Sequence, residues 1–345
     1  MKMRFIVPLA IFVLVLVGGC GRQLQSSTPI SPTATSAPPT EIPTETPQPT
    51  ATKIPATETL PPLSGSGGGR IVFAAKRHEQ YEIYVMNADG TDQRRLTNHP
   101  AEDTDPVWSP DGSRIAFQSN RTGRFEVFVM NADGSNMRQL TKDGGWGTAW
   151  SPDGSMIVFT RFDLASDLFV INADGTNQRR LTHSGEEMSV YGADWSPDGT
   201  QMVCVVGLPS TVAYLDAEST IHLLDIPVSL EEAEPPELRP LPRAGERVND
   251  WPSWSPDGSQ ILFSAFVDGH RGIYVVNADG SNLRRLTPIT SANEYAPSWS
   301  PDGTQITFQS SAAGGWDIYI MNVDGTGLQQ LTTGGDNDVA PKWTR

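Results

Sequence analysis

The sequence predicts an all-β protein: a six-bladed β-propeller of four-stranded blades, closed by pairing of its N- and C-terminal strands. Three observations carry this. The phrase Trp-Ser-Pro-Asp-Gly stands at Trp108–Gly112, Trp150–Gly154, Trp195–Gly199, Trp254–Gly258 and Trp299–Gly303, with a broken copy at Pro341–Arg345. Its Trp-to-Trp spacings are 42, 45, 59, 45 and 44 residues, the period of an array of one supersecondary unit. The short apolar strand after the phrase occurs six times, at Ile71-Val72-Phe73, Ile115-Ala116-Phe117, Ile157-Val158-Phe159, Met202-Val203-Cys204, Ile261-Leu262-Phe263 and Ile306-Thr307-Phe308.

Within one unit each element has a local cause. In Ser-Pro-Asp-Gly the proline presets φ for a type I turn and the glycine tolerates positive φ after it. The apolar strand Arg114–Phe117 follows, then the polar stretch Gln118–Arg124 and a second apolar strand, Val127–Met130. Asn131-Ala132-Asp133-Gly134 offers a further turn, and Arg138–Thr141 closes the unit. Four strands joined by hairpin turns make a propeller blade. The first unit, from Arg70, lacks a Trp phrase before it, and Trp343 lacks a strand after it. The two half-units complement each other, so the strand of Trp343 is expected to complete the first blade and leave no open edge at the termini.

These phrases, with Ile83-Tyr84-Val85-Met86-Asn87-Ala88-Asp89-Gly90 and Arg94-Arg95-Leu96-Thr97, resemble the TolB-like propeller repeat, a distant relative of the WD repeat. The resemblance spans residues 70–345. It implies the propeller fold and recognition of other molecules in the cell envelope; similar propellers also accompany peptidases and metal-using lyases, so it specifies fold more sharply than activity. Where TolB carries a separate domain before its propeller, this sequence has a low-complexity spacer.

Residues 1–19 read as a lipoprotein signal peptide: Lys2 and Arg4 precede the apolar run Phe5–Val17, which is interrupted only by Pro8 and is too short for a comfortable span. Val17-Gly18-Gly19-Cys20 resembles a lipobox, which makes Cys20 the expected lipidation site and the membrane anchor. Residues 20–69 are dominated by Thr, Pro, Ser and Ala. Such a segment cannot bury enough apolar surface to order itself. As an extended stalk at about 3.1 Å per residue it would hold the propeller on the order of 100 Å from the membrane. The net charge of −15 argues against a nucleic-acid partner. A monomer with an extracytoplasmic location is expected, and its partner is an envelope protein, peptide or glycan.

Blade four departs from the pattern. It lacks the Asn-Ala-Asp-Gly turn, its nearest counterpart being Ile221–Asp225, and it carries an acidic, proline-rich insertion at 227–242 that accounts for the 59-residue spacing. The insertion is either a solvated excursion or a functional loop. Cys204, the other cysteine besides Cys20, reads as a small core residue.

Residues that recur around the ring do one local job each. The aspartates at 111, 153, 198, 257 and 302, and those at 89, 133, 174, 279 and 324, should close turns. The phrase tryptophans should pack between blades. Glu82, Glu126, Asp167 and Asp317, with Arg77, Arg121 and Arg161, read as local ion pairs near one rim. More informative are residues that break the repeat in the connections entering beside the channel: Asp103, Asp105, Trp146, Tyr191, Asp194, Asn249, Asp250, Asn293, Glu294, Tyr295, Asp336, Asn337 and Asp338. Their convergence would make a negative, aromatic-bearing funnel for a cation, a basic peptide or a sugar, with Ca²⁺ as the hard cation such oxygens take. The alternative is an acidic rim that stays solvated. The propeller carries no Gly-x-Ser-x-Gly elbow and no His pair at helical spacing, so no catalytic residue is assigned. A non-catalytic binding module is the expectation. A metal-dependent hydrolase or lyase in the channel and a passive scaffold are its rivals.

Overall fold

The computed structural model describes residues 69–344, except 78, 163–164, 209–218, 227–235, 243–246, 268 and 335–336. The leader, Cys20, the stalk up to residue 68 and Asp336 therefore lie outside the described residues, as does most of the insertion. Every regular element described is a strand, and the strands form six four-stranded antiparallel sheets arranged as a propeller. Blade two shows the plan: an inner strand Asp103–Trp108, a second strand Arg114–Ser119, a third strand Glu126–Asn131 and an outer strand Arg138–Gln139.

The second and third strands read as unbroken apolar runs because each blade is covered on both faces by its neighbours. In blade one, Ile71 to Ala75 are all fully buried, where a one-sided sheet would alternate. The outer strands are the reverse: in five of the blades they are two residues long and rich in Arg, Gln or both. Short, charged edges resist pairing with other chains.

The turns form as their residues dictate. Ser109 Oγ donates to Asp111 Oδ1 at 2.6 Å, and Asp111 accepts the Ser113 amide at 3.1 Å. The same bonds recur at Asp153, Asp198, Asp257 and Asp302. At the second turn Asp89, Asp133, Asp174, Asp279 and Asp324 each accept the backbone amide two residues on, at 2.8–2.9 Å. Gly134 is at φ +85°, and a Cβ there would stand 2.7 Å from the Leu96 carbonyl of the preceding blade. Glycine is thus required both for the turn and for the close approach of two blades.

Each phrase tryptophan is a wedge between blades. Trp108 packs with Val72, Ala74 and Val85 of blade one and with Ile115 and Phe117 of blade two. Trp150, Trp195, Trp254 and Trp299 repeat this at the next four seams. Trp343 fills the sixth, between Ile318, Ile320 and Leu331 of blade six and Ile71, Phe73 and Tyr84 of blade one. The expected closure is present: Asp338–Trp343 is the inner strand of blade one, with Ile71 opposite Trp343 and Ala75 opposite Asp338. The seam is fastened by Thr344 N to Arg70 O at 2.9 Å and Arg70 N to Thr344 Oγ1 at 3.1 Å.

Blade four corrects one expectation. The segment 227–242 is not all insertion, since it contains the outer strand Leu238–Pro240, paired with His222–Leu224. Ile221–Asp225 lies in the third strand, Ser219–Asp225. The extra length is shared between the connections 208–218 and 226–237, which keeps the four-strand blade and its packing intact. Cys204 is fully buried, and burial pushes its thiol up to about 12.

Candidate functional site

The inner strands touch one another in a closed ring around the channel, and each breaks its register in the same way. Three residues before the phrase tryptophan, Asp105, Gly147, Gly192, Trp251, Ala296 and Ala340 all have left-handed φ, between 47° and 62°. The pairing with the second strand, or in blade one of the second strand with it, shifts at this point in every blade. These are β-bulges, which bend a strand and re-aim its side chains. Two are tied to the preceding blade: the Gly192 amide donates to Thr160 Oγ1 at 3.2 Å and the Ala340 amide to Gln309 Oε1 at 2.8 Å.

The residue just before each bulge is Thr104, Trp146, Tyr191, Asp250, Tyr295 or Val339. From blade three to blade six these side chains join into one chain of contacts along the channel mouth. The rings of Trp146 and Tyr191 lie 5.8 Å apart. The Tyr191 hydroxyl donates to Asp250 Oδ1 at 3.4 Å, and Arg271 Nη1 donates to Asp250 Oδ2 at 2.9 Å. The Arg271 guanidinium lies 4.5 Å over the Tyr295 ring, which meets Trp316 edge-on at 5.2 Å. Burial raises the Asp250 carboxyl against the pull of Arg271, and burial pushes the Tyr191 hydroxyl far above its ordinary range.

The acids predicted for the funnel are largely engaged by the protein itself. Asp103 is fully buried and accepts both bonds of the Arg121 Nη2 fork, at 2.8 and 2.9 Å. Arg77 holds Asp338 at 3.1 Å in the same way. Both arginines lie over aromatic pairs, Arg121 at 4.8 Å from Phe128 and Arg77 at 4.7 Å from Tyr84. They therefore pair with inner-strand acids rather than with the acids before the third strand. Glu82, Glu126 and Asp167 still form local ion pairs, with Arg95, Arg124 and Arg180 instead, and accept the hydroxyls of Thr97, Thr141 and Thr182 at 2.6–2.7 Å. Asp194 braces a seam, accepting the amides of Trp195 at 3.0 Å and Trp254 at 2.9 Å. Asp105 stands at its bulge with Gln118 Nε2 at 2.6 Å, and burial lifts its carboxyl to about 6, opposed by Lys342. Asn293 Oδ1 accepts the Arg271 amide at 3.2 Å. Asn249 lies on the inner strand Arg247–Trp254. Among the described residues no three His, Cys, Asp or Glu side chains gather as a metal-ligand set.

Glu294 Oε2 accepts the Thr287 hydroxyl at 2.5 Å and lies 3.8 Å from Arg285. Burial raises its carboxyl from 4.5 to about 7. The folded state thus holds this proton more tightly than the unfolded state, so this group's contribution to stability falls as pH rises between about 4.5 and about 7. Glu294→Gln should remove that slope, read by urea midpoints across the interval; an unchanged slope would contradict the assignment. The turn aspartates act oppositely. Hydrogen bonds from Ser109 and Ser113 hold Asp111 down at about 2, a contribution present above the unfolded value and lost as pH falls.

Two members of the contact chain, Arg271 and Trp316, escaped sequence reasoning, as did the bulge residue Trp251. A signal existed, because the chain has nine tryptophans and six belong to the phrase; the other three are Trp146, Trp251 and Trp316. Arg271 follows the second-to-third-strand turn of blade five, and no repeat marks it.

Six four-stranded blades closed by the terminal strand define a β-propeller. The chain belongs to the TolB beta propeller domain family, whose pattern matches residues 47–164 and 243–345. Among solved structures it is similar to TolB from Acinetobacter baumannii, at 20% identity and a TM-score of 0.66, over 80% of this chain and 66% of that one. A structure from Agrobacterium tumefaciens assigned to TolB matches at 20% identity and 0.59, over 80% and 98% of the two chains. An oligogalacturonate lyase in complex with manganese matches at 17% identity and 0.51, over 77% and 74%. These likenesses are to the fold.

Proposed function

We propose that this chain is a non-catalytic recognition module, anchored outside the cytoplasm through a lipid on Cys20 and carried on the stalk of residues 20–69, that seats an envelope protein, peptide or glycan on its channel mouth. The single observation that carries this is the contact chain Trp146–Tyr191–Asp250–Arg271–Tyr295–Trp316. Half-buried aromatic rings with a polar pair between them are what a binding surface needs: large contact area held at little entropic cost. Family membership supports a recognition role, and the apolar leader ending at Cys20 supports the location. No metal-ligand set among the described residues favours a second, catalytic reading.

The test uses the full chain. It should partition with membranes, and Cys20→Ala should release it. Immobilised, it should retain a component of the source envelope extract. The double variant Trp146→Ala/Tyr295→Ala should melt within a few degrees of the parent yet retain about tenfold less. Equal retention by the double variant would contradict the proposal.

A further inference from the structure

Trp251 is the bulkiest side chain at a bulge position. Its φ is +56°, a region that bulky side chains enter only at a cost of about 1–3 kcal/mol and that clusters at binding sites. The same position is Gly147 in blade three and Gly192 in blade four, so the bulge itself needs no side chain. Trp251 is half-buried and belongs to none of the six core clusters. An indole kept there at a conformational cost, next in sequence to Asp250, points to a ligand.

The charges of the mouth select that ligand's class. Asp250 is matched by Arg271 at 2.9 Å, so a cationic group would meet the guanidinium and an anionic group the carboxylate. The buried Arg271 and the Asp250 it holds are satisfied within the protein, and what remains partly exposed is a ring pair at each end, Trp146 with Tyr191 and Tyr295 with Trp316. Ring faces are electron-rich and attract polarised C–H groups. Resting on the reading of the mouth as the binding surface, we propose that its ligand is a neutral polysaccharide chain whose pyranose faces stack on the ring pairs and on Trp251.

The full chain is titrated with chitohexaose, cellohexaose, maltohexaose and xylohexaose, following tryptophan fluorescence and calorimetric heat, with hexagalacturonate and hexalysine as charged contrasts. At least one neutral hexasaccharide should bind saturably and more tightly than either contrast. Trp251→Gly should weaken it tenfold or more while melting no lower than the parent, and Trp316→Ala should weaken it independently. No binding of any neutral hexasaccharide, tighter binding of hexalysine or hexagalacturonate, or indifference to Trp251→Gly overturns the proposal. If neutral saccharides fail while the envelope component is still retained through Trp146 and Tyr295, the recognition reading stands and the glycan reading falls.

Discussion

Trp343→Ala is expected to destabilise the propeller by about 3–5 kcal/mol, the range for deleting a large buried aromatic. Trp343 is 3% exposed and is the wedge of the seam where the chain ends meet. The other seams join blades that are continuous in sequence, whereas this one is held by the pairing of Asp338–Trp343 with Arg70–Ala75 and by Thr344. Removing the wedge therefore opens a cavity and loosens the closure together. Urea unfolding gives the magnitude, and hydrogen exchange at the amides of 70–75 should accelerate in Trp343→Ala more than in Trp108→Ala. Trp343→Phe should cost less, because the indole N–H is buried without an acceptor and its loss removes no bond. A cost below about 1 kcal/mol, as for a surface change, would mean the ring is not closed there.

The second large effect is at Asp103. Its fully buried carboxylate and the Arg121 guanidinium, 16% exposed, form a two-bonded pair. Removing one partner leaves the other charge buried and uncompensated, at a cost of about 3–5 kcal/mol. Asp103→Ala should show this loss. Asp103→Ala/Arg121→Met should recover part of it, because an apolar pair of similar volume carries no unpaired charge. Equal stability of the single and double variants would show that the pair is not coupled.

Much of the ring was legible in the residues. The phrase tryptophans, the turn aspartates, the blade count and the closing strand all follow from local chemistry repeated at a fixed period. Repetition also reveals what it fixes: a residue present at every seam serves the seam. The mouth was harder to read for the same reason. Trp146, Tyr191, Asp250 and Tyr295 stand out as breaks in the pattern, and the structure brings them into one line because each lies one residue before a bulge. The bulges were not legible, since four of the six positions, Asp105, Trp251, Ala296 and Ala340, carry no glycine to mark a left-handed backbone. Nor does an acidic composition show which carboxylates are neutralised. Asp103 and Asp338 look alike in the sequence to an open rim acid until the arginines of the turns after the second strands, Arg121 and Arg77, are seen to fold back onto them. Arg271 belongs to the same lesson, reaching Asp250 from across its own blade.

The central claim is that the channel mouth, not the Arg-rich outer edge, meets the ligand. A photoreactive amino acid placed at Tyr191, Trp316 or the outer-strand residue Gln329 tests it directly in the full-length protein within its own envelope. Adducts from positions 191 and 316 and none from 329 are predicted. Adducts from 329 alone, with the mouth positions silent, would contradict the account.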